Sequence, residues 1–430
     1  MNTVATQPHV QPGTQPGTQT GSQPGTRPGT PRRAGWHRLP VTEVRRLTAD
    51  TVAVTLDVPA ALRDVFAHRP GRHVVVRHRR PGGELRRSYS LCPPPHDPGG
   101  FRLVIKRGSA DGFGAHALTR LAPGDHLELS PPTGSFALAE LPPGGHHVLL
   151  AGGSGITPLA PMAADALRRD PACRVSLVHS VRTAADAVLA DELAELKDRY
   201  VRRLTVLHVL TREDRGTGGP LAGRIDGDAL RRLLAAVDAR PGPHTAFALC
   251  GPPGLLDTAL RTLTDWGADP ALVRRELFTP GTPGTPGTPG TPGTPGAPGT
   301  PGTPGMPGST GATGTPDTAG PRDTPGAQPP APARTAAGET RVTALLDGRR
   351  RTATVQARDP ALLDALLRAH PDVPYACREG ICGSCRARVV AGRVTADDQP
   401  ALDDRDRAAG YTLVCRARPA TPDLTLDFDA

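Results

Sequence analysis

The stretch HVLLAGGSGITPLAPMAADALRR, residues 147–169, decides the fold of the central part of this 430-residue chain. It begins as a continuous apolar strand, passes through Gly152, Gly153, Ser154 and Gly155, and continues with the apolar periodicity of a helix. Backbone N–H groups at the start of a helix are free to bind an anion, so this arrangement predicts a loop that holds the pyrophosphate of a dinucleotide. The spacing is not G-x-G-x-x-G, and the ordinary Rossmann fingerprint therefore does not apply.

Strands and helices alternate from this stretch onward. Apolar strands are predicted at 174–180, 204–210 and 245–251, and helices at 189–200, 227–237 and 254–266. Strict alternation favours a parallel sheet with helices on both faces. We therefore expect a nucleotide-binding α/β domain at residues 142–280.

Short strands separated by Pro/Gly turns precede this domain. They are TVAVTLDV (51–58), RHVVVRH (72–78) and FRLVIK (101–106). Such a pattern predicts a small antiparallel β-barrel or sandwich, which we place at residues 35–141. The tetrapeptide RSYS (87–90) lies on one of its strands, and taken alone it is equally consistent with ordinary strand alternation.

Two segments are not expected to fold. Residues 1–34 are Gln/Pro/Gly/Thr repeats, and residues 281–338 are rich in Gly, Pro and Thr, with Gly at every third position from 281 to 314. A collagen triple helix has that period, but it needs three chains and a long array. We favour a stiff, polyproline-like tether, about 100 Å long if its ~34 repeat residues are fully extended at ~3.1 Å each.

The chain is expected to fold again at residues 339–430. Here a hairpin turning at Asp347-Gly348, a helix at 360–370 and a strand at 386–392 are predicted. Four of the seven cysteines lie in this region, at Cys377, Cys382, Cys385 and Cys415. Their spacing, C-x4-C-x2-C-x29-C, is the plant-type [2Fe-2S] pattern and predicts that these four thiolates are the metal ligands.

A zinc site and a set of structural thiols are the alternatives for these cysteines. Zinc ligands usually come as two close couples, whereas here a tight trio has one distant partner. The small residues Gly380, Gly383 and Ser384 leave room for backbone N–H groups to point at cluster sulfurs. Cys92 and Cys173 are expected to be small core hydrophobes instead.

Composition excludes several classes of function. The net charge of +9 comes from scattered arginines and only 3% of residues are aromatic, so no nucleic acid partner is expected. No apolar run reaches the ~18 residues of a membrane span, and the N-terminus lacks the apolar core of a secretory signal. We expect no membrane partner and a cytoplasmic location, where clustered cysteines more often hold metal than form disulfides.

Three motifs in one order resemble a known family, the ferredoxin–NADP reductase-like flavoprotein reductases. They are the R-x-Y-S strand at 87–90, the G-G-x-G-I-T-P loop at 152–158 and the C-G-P-P turn at 250–253. With the C-terminal ferredoxin region added, the chain is similar to the reductase subunits of multicomponent phenylacetyl-CoA epoxidases, notably in DVPYACREGICGSC (372–385) and AAGYTLVC (408–415). Reductases of steroid hydroxylases share this domain order.

The resemblance implies an FAD-binding β-barrel, an NAD(P)-binding α/β domain and a β-grasp ferredoxin domain. It implies that Arg87 pairs with the flavin pyrophosphate, that Tyr89 stacks on the isoalloxazine, and that Ser90 lies near flavin N5. Ser90 and Cys250 are the implied catalytic residues. The implied flavin-binding residues are Arg87, Ser88, Tyr89, Ser90, Ile105, Lys106, Gly112 and Gly114. The implied nucleotide-binding residues are Gly152, Gly153, Ser154, Gly155, Thr157, Arg182, Arg224, Cys250, Gly251 and Pro252, of which Arg182 and Arg224 would read a 2′-phosphate.

One position departs from the family pattern. The family has a G-x-F-S turn whose Ser touches the flavin pyrophosphate, whereas this chain reads Gly112-Phe113-Gly114. A backbone N–H would have to replace that hydroxyl contact.

The resemblance implies an electron-transfer reductase. Electrons would pass from NAD(P)H through FAD and the [2Fe-2S] cluster to an oxygenase component, for which we expect a di-iron epoxidase complex acting on phenylacetyl-CoA. The flavin is needed because NAD(P)H releases a hydride while the cluster accepts single electrons. The tether would let the ferredoxin region face first the flavin and then the partner, at an effective concentration on the order of millimolar. The alternatives are the reductase of a steroid or aromatic-ring hydroxylase and, from another class, a collagen-like scaffold protein.

Overall fold

The computed structural model describes residues 35–81, 83–94, 96–97, 99–213, 221–278, 340–402 and 404–430. The tail expected at 1–34 and the linker expected at 281–338 lie outside the described residues. Three sheets, built in succession along the chain, organise the described residues, and a two-stranded ribbon accompanies the last of them.

The first sheet closes into an antiparallel barrel. Its elements are β1 (His37–Thr48), β2 (Thr51–Leu56), α1 (Arg63–Phe66), β3 (His73–Arg80), β4 (Gly83–Ser90), β5 (Phe101–Lys106), α2 (Phe113–Thr119) and β6 (His126–Leu129). The strand order is β4-β3-β6-β1-β2-β5. An antiparallel bridge between Leu91 and Leu103 joins the two edges, so the apolar faces of the strands enclose one core.

The second sheet is parallel. Its elements are β7 (His146–Gly152), α3 (Ile156–Arg169), β8 (Arg174–Val181), α4 (Ala190–Arg199), β9 (Leu204–Leu210), α5 (Gly227–Ala236), β10 (Thr245–Gly251), α6 (Pro253–Asp265) and β11 (Val273–Leu277). The strand order is β11-β10-β7-β8-β9. Leu149 packs with Leu159 of α3 and Leu193 of α4, while its neighbour Leu150 packs with Leu233 of α5 on the opposite face. The expectation of a parallel sheet with helices on both faces is therefore confirmed.

The third sheet belongs to a small α+β domain. Its elements, with those of the ribbon, are β12 (Thr340–Leu346), β13 (Arg349–Val355), α7 (Leu362–Ala369), β14 (Arg386–Ala391), β15 (Val394–Ala396), α8 (Asp404–Ala408), β16 (Tyr411–Leu413), β17 (Ala417–Pro419) and β18 (Asp423–Asp427). The sheet order is β13-β12-β18-β14-β16, with β12 and β18 parallel, and β15 pairs with β17. Leu362 and Leu366 of α7 pack against Val342 and Leu426 of the sheet. This is the expected β-grasp arrangement.

The predicted hairpin of the third domain is present in the structure. The third domain opens with a hairpin that turns at Asp347 and Gly348, both with positive φ. At the position of the family's G-x-F-S turn, Gly112 caps the start of helix α2, which Phe113 and Gly114 begin. Within the described ranges, no helix is both long and apolar enough to cross a membrane.

Candidate active site and candidate metal centre

The strand that carries the RSYS motif offers unused polar groups. β4 pairs with β3 so that Ser90 lies opposite His73 and Tyr89 opposite Val74. The hydroxyls of Ser88 and Ser90 are buried and have no hydrogen-bond partner within the described chain. Buried polar groups normally find partners, so these two hydroxyls fit a polar ligand such as a flavin. The Tyr89 ring lies 5.8 Å from that of Phe113, and burial raises the pKa of its phenol, which stays neutral.

Two of the implied flavin residues have limited side-chain roles. Ile105 is fully buried in the barrel core, so only its backbone could meet a ligand. The Lys106 ammonium lies 3.5 Å from the Asp50 carboxylate.

Close packing explains the departure at Gly114. A Cβ on Gly114 would lie 3.1 Å from the Lys106 carbonyl carbon and closer still to its oxygen. A serine at this position would therefore collide with β5. The glycine is required by the packing of α2 on the barrel, and Gly112 occupies the cap position before that helix.

The two nucleotide motifs meet at the carboxyl ends of neighbouring strands. Parallel pairing of β7 with β10 places Ala151 opposite Cys250. A Cβ on Gly155 would lie 2.5 Å from the Cys250 carbonyl carbon, and one on Gly152 would lie 2.6 Å from Pro252 Cδ. Only glycines allow this approach, so the structure brings the loop at 152–155 directly against the turn at 250–252.

Hydrogen bonds fix the shape of this nucleotide loop. Gly153 has φ +55°, and its carbonyl oxygen lies 2.9 Å from Nε2 of the buried His179. Thr157 Oγ1 donates to the Ser154 carbonyl oxygen at 3.0 Å. Burial lowers the pKa of His179 to about 4, so its ring is neutral at physiological pH. His179 was missed by sequence analysis, because a lone histidine in an apolar strand gives no signal.

Glu276 is a second residue that the sequence did not single out. β11 pairs in parallel with β10, which places Glu276 beside Cys250. Its side chain is 14% exposed, its Oε2 has no hydrogen-bond partner within the described residues, and burial raises its pKa to about 8. Burial, with Glu276 nearby, also raises the pKa of the Cys250 thiol. Both groups therefore hold their protons at neutral pH.

The two arginines proposed for a 2′-phosphate have different surroundings. Arg182 Nη2 lies 3.0 Å from Asp50 Oδ2 and 2.6 Å from Asp186 Oδ1. Arg224 is exposed on the loop before α5. The guanidinium of Arg182 is thus already neutralised by carboxylates.

The four cysteines of the third domain form two thiol pairs. The thiols of Cys377 and Cys382 perturb each other's pKa, and so do those of Cys385 and Cys415, so the members of each pair are neighbours. The Cys382 thiol lowers the pKa of Cys377 to about 6, and the Glu379 N–H donates to Cys377 Sγ at 3.3 Å. All seven cysteines are free thiols in the structure.

The two pairs match a cluster of two irons in which each iron takes two thiolates. In the part of the chain that the structure describes, no three His, Cys, Asp or Glu side chains gather tightly enough to hold a single ion. A [2Fe-2S] cluster instead needs two thiolates on each iron, with backbone N–H groups directed at the sulfurs. Gly380 and Gly383, with φ +76° and +70°, give the loop this path.

The cysteine loop lies against strand β3, which pairs with the strand that carries the RSYS motif. His73 Nε2 is 3.2 Å from Ser384 Oγ, and Ser384 Oγ is 3.3 Å from Cys382 Sγ. On its other side, His73 Nδ1 is 4.0 Å from Glu276 Oε1. A continuous line of contacts thus runs from Glu276, beside Cys250, to a cysteine of the candidate metal centre.

Comparison with known proteins agrees with this division. Family models match an oxidoreductase FAD-binding domain at residues 38–138, an oxidoreductase NAD-binding domain at 149–261 and a 2Fe-2S iron–sulfur cluster binding domain at 344–420. The expected cofactors, FAD, NAD(P)H and a [2Fe-2S] cluster, are thereby confirmed.

Two curated relatives match nearly the whole chain. A subunit of the 1,2-phenylacetyl-CoA epoxidase of Escherichia coli K12 is 30% identical over 396 residues, covering 92% of this chain and 98% of its own. The ferredoxin reductase component of 3-ketosteroid-9-alpha-monooxygenase from Rhodococcus rhodochrous is 33% identical, covering 91% and 96%. An intact type IV self-sufficient cytochrome P450 monooxygenase shares the fold, with a TM-score of 0.56 and 22% identity over 91% of this chain and 41% of its own.

Proposed function

The chain belongs to the ferredoxin–NADP reductase-like flavoproteins that carry a carboxy-terminal [2Fe-2S] ferredoxin domain, and from this premise we propose that it supplies electrons to a phenylacetyl-CoA epoxidase. It is an NAD(P)H-dependent oxidoreductase. The contact between His73 and Ser384 carries the proposal, because it brings the cluster loop against the strand pair that holds Ser90. Electrons delivered at the flavin strands need travel only a short distance to the cluster.

When bound, FAD and the [2Fe-2S] cluster would supply the redox chemistry that converts the hydride of NAD(P)H into single electrons. The protein binds and orients them. In the proposed roles, Arg87 neutralises the flavin pyrophosphate, the neutral Tyr89 ring packs on the isoalloxazine, and the unpartnered Ser88 and Ser90 hydroxyls donate hydrogen bonds to it. Cys377, Cys382, Cys385 and Cys415 hold the cluster as two pairs.

Glu276 and Cys250 shape the nicotinamide side of the site in this proposal. Cys250 is buried, Glu276 is largely covered, and both are neutral at pH 7, so they present no negative charge where a hydride must pass. The Glu276 carboxyl group is protonated below pH about 8. Its Oε2 has no hydrogen-bond partner among the described residues and so is free to bind a polar group of the nucleotide.

The choice between NADH and NADPH depends on the arginines near the nucleotide loop. Arg182 would have to leave Asp50 and Asp186 to meet a 2′-phosphate. Arg224 is exposed and forms no ion pair with another residue that the structure describes, which makes it the better candidate. Comparing kcat/KM for NADH and NADPH in Arg224→Ala and Arg182→Ala tests this assignment.

The electron acceptor is proposed from likeness along the whole chain. The E. coli epoxidase component is matched over 98% of its length, and this supports an epoxidase as partner, for which we propose a di-iron complex. The 33% identity to the ketosteroid monooxygenase component favours a steroid hydroxylase as the second candidate.

Reconstitution distinguishes these partners. The purified holoprotein is mixed with the oxygenase components of each system, and NAD(P)H oxidation is compared with epoxide or hydroxysteroid formation. We expect tightly coupled turnover with the epoxidase only. Coupled steroid hydroxylation would replace the first assignment by the second, and failure with both oxygenases would refute both.

A further inference from the structure

Arg86 is a buried cation between two domains. It lies on β4, next to the flavin-strand residue Arg87, and is only 7% exposed. Its guanidinium carbon lies 4.0 Å from the ring centroid of Tyr375 in the ferredoxin domain and 4.8 Å from that of Trp36 in the barrel. A cation between two aromatic faces is attracted by both rings, and more strongly when water is excluded.

The same guanidinium makes directed hydrogen bonds across the domain boundary. Nη2 donates to the carbonyl oxygen of Pro371 at 3.2 Å, and Nη1 to that of Val373 at 3.3 Å. Within the barrel, Nε donates to Glu84 at 2.6 Å, which balances the charge. Pro371, Val373 and Tyr375 belong to residues 371–375, which we call the docking segment. This segment ends two residues before Cys377.

We propose that Arg86 is the docking residue that seats the ferredoxin domain on the flavin barrel for intramolecular electron transfer. An arginine suits this task because its planar fork reaches two carbonyl groups while its faces stack on rings, which an ammonium group cannot do. Because Arg86 binds the docking segment, it holds the start of the cysteine loop against the barrel. This places Ser384 next to His73. This inference rests on the proposed function, in which the cluster is loaded by the flavin.

Two features of the boundary between the barrel and the ferredoxin domain favour release of the ferredoxin domain after docking. Burial and the nearby guanidinium groups of Arg386, in the ferredoxin domain, and Arg69 lower the pKa of Arg72 in the barrel, so like charges oppose one another across the boundary. A cleft of about 140 Å³ also separates the domains between Trp36 and Asp372. Docking covers Ser384, which is 5% exposed, so an outside acceptor can reach that side of the cluster loop only after undocking.

The test compares Arg86→Ala and Arg86→Lys with Arg79→Ala in the full-length holoprotein. Arg79 is the matched control, because its side chain on the adjacent strand is 65% exposed. Its ion pair with Glu128 lies within the barrel domain and does not cross the domain boundary. Stopped-flow absorbance follows flavin reduction by NAD(P)H and cluster reduction separately, and small-angle X-ray scattering measures the maximum dimension of each protein. We expect both Arg86 variants to slow cluster reduction about tenfold or more and to extend the molecule, with flavin reduction unchanged. Arg79→Ala should match the wild type.

A second pair of variants covers the case in which Arg86→Ala fails to bind flavin or to fold. Tyr375→Leu removes the ring from the ferredoxin side, whereas Tyr375→Phe keeps it, so only the leucine variant should undock. Unchanged cluster-reduction rates and scattering in Arg86→Ala, or equal behaviour of the two Tyr375 variants, would overturn the docking role. A wild-type cluster that NAD(P)H never reduces would instead refute the proposed function.

Discussion

Replacing Gly155 by alanine tests the close approach of the two nucleotide motifs. Gly155 has φ −60° and ψ −8°, a backbone conformation that alanine adopts without strain. The effect must therefore come from the added Cβ alone. It would lie 2.5 Å from the Cys250 carbonyl carbon and closer still to its oxygen, both of which are backbone atoms that cannot rotate away.

The structure sets the size of the effect. An ordinary contact needs about 3.5 Å, so the loop and the Cys250 turn must separate by roughly 1 Å. Forcing extra atoms into a packed site typically costs about 1–3 kcal/mol. Since each ~1.4 kcal/mol is a factor of ten, the affinity for NAD(P)H should fall about 10- to 100-fold.

Calorimetric titration of the oxidised holoprotein with NAD(P)⁺ and the KM for NAD(P)H with ferricyanide as acceptor measure this loss. Flavin content should remain that of the wild type, because Gly155 lies outside the barrel. Gly254→Ala is the matched control, since a Cβ there meets nothing within 4 Å. Wild-type affinity in Gly155→Ala, or an equal loss in Gly254→Ala, would refute the argument that these motifs touch to form one nucleotide site.

Three further predictions concern Glu276, the cysteine pairs and His179. Burial raises the pKa of Glu276 from 4.5 to about 8, so the stability that its neutral form contributes is complete below pH about 4.5 and is lost as pH rises through 8. Between pH 4.5 and 8 the free energy of unfolding of the wild type should therefore fall by a few kcal/mol relative to that of Glu276→Gln, as measured by thermal unfolding. If the two proteins showed parallel dependence of stability on pH, the raised pKa would be contradicted. Cys415→Ala should lose the cluster iron and the reduction of cytochrome c but keep the reduction of ferricyanide. Cys173 is a buried thiol outside the two pairs, so Cys173→Ala should keep the iron and both activities. Iron retained in Cys415→Ala would rule out Cys415 as a ligand. His179→Phe loses the contact with Gly153 O and should raise the KM for NAD(P)H several-fold at constant flavin content; an unchanged KM would show that the loop holds its shape without His179.

Sequence motifs pointed to those parts of the candidate site whose residues are close together in the sequence. The glycine run at 152–155 and the cysteine spacing at 377–385 each encode a backbone path within one loop, and both were identified from the sequence. The parallel sheet followed in the same way, because its strands and helices alternate with clear periodicity. Helix α2 was not predicted, because the glycines at its start lower helix propensity and only packing against β5 fixes it.

Residues brought in by tertiary pairing could not be found in this way. Glu276 reaches Cys250 through the parallel register of a five-residue edge strand, and no local pattern encodes that register. Arg86 looks like an exposed residue of an alternating barrel strand, and its contacts with the docking segment, 285 residues further on in the chain, cannot be read from the local sequence. The pairing of Cys377 with Cys382 and of Cys385 with Cys415 likewise required the folded loop.

An anaerobic titration of the purified holoprotein with NAD(P)H, followed by absorbance and electron paramagnetic resonance, tests the central claim most directly. We expect flavin bands, about two irons and two sulfides per chain, and uptake of about three electrons, with the reduced cluster giving a paramagnetic signal. Reduction should require the flavin, so flavin-free protein should leave the cluster oxidised. A colourless protein loaded with zinc, or a flavin that becomes fully reduced while the cluster stays oxidised, would contradict it.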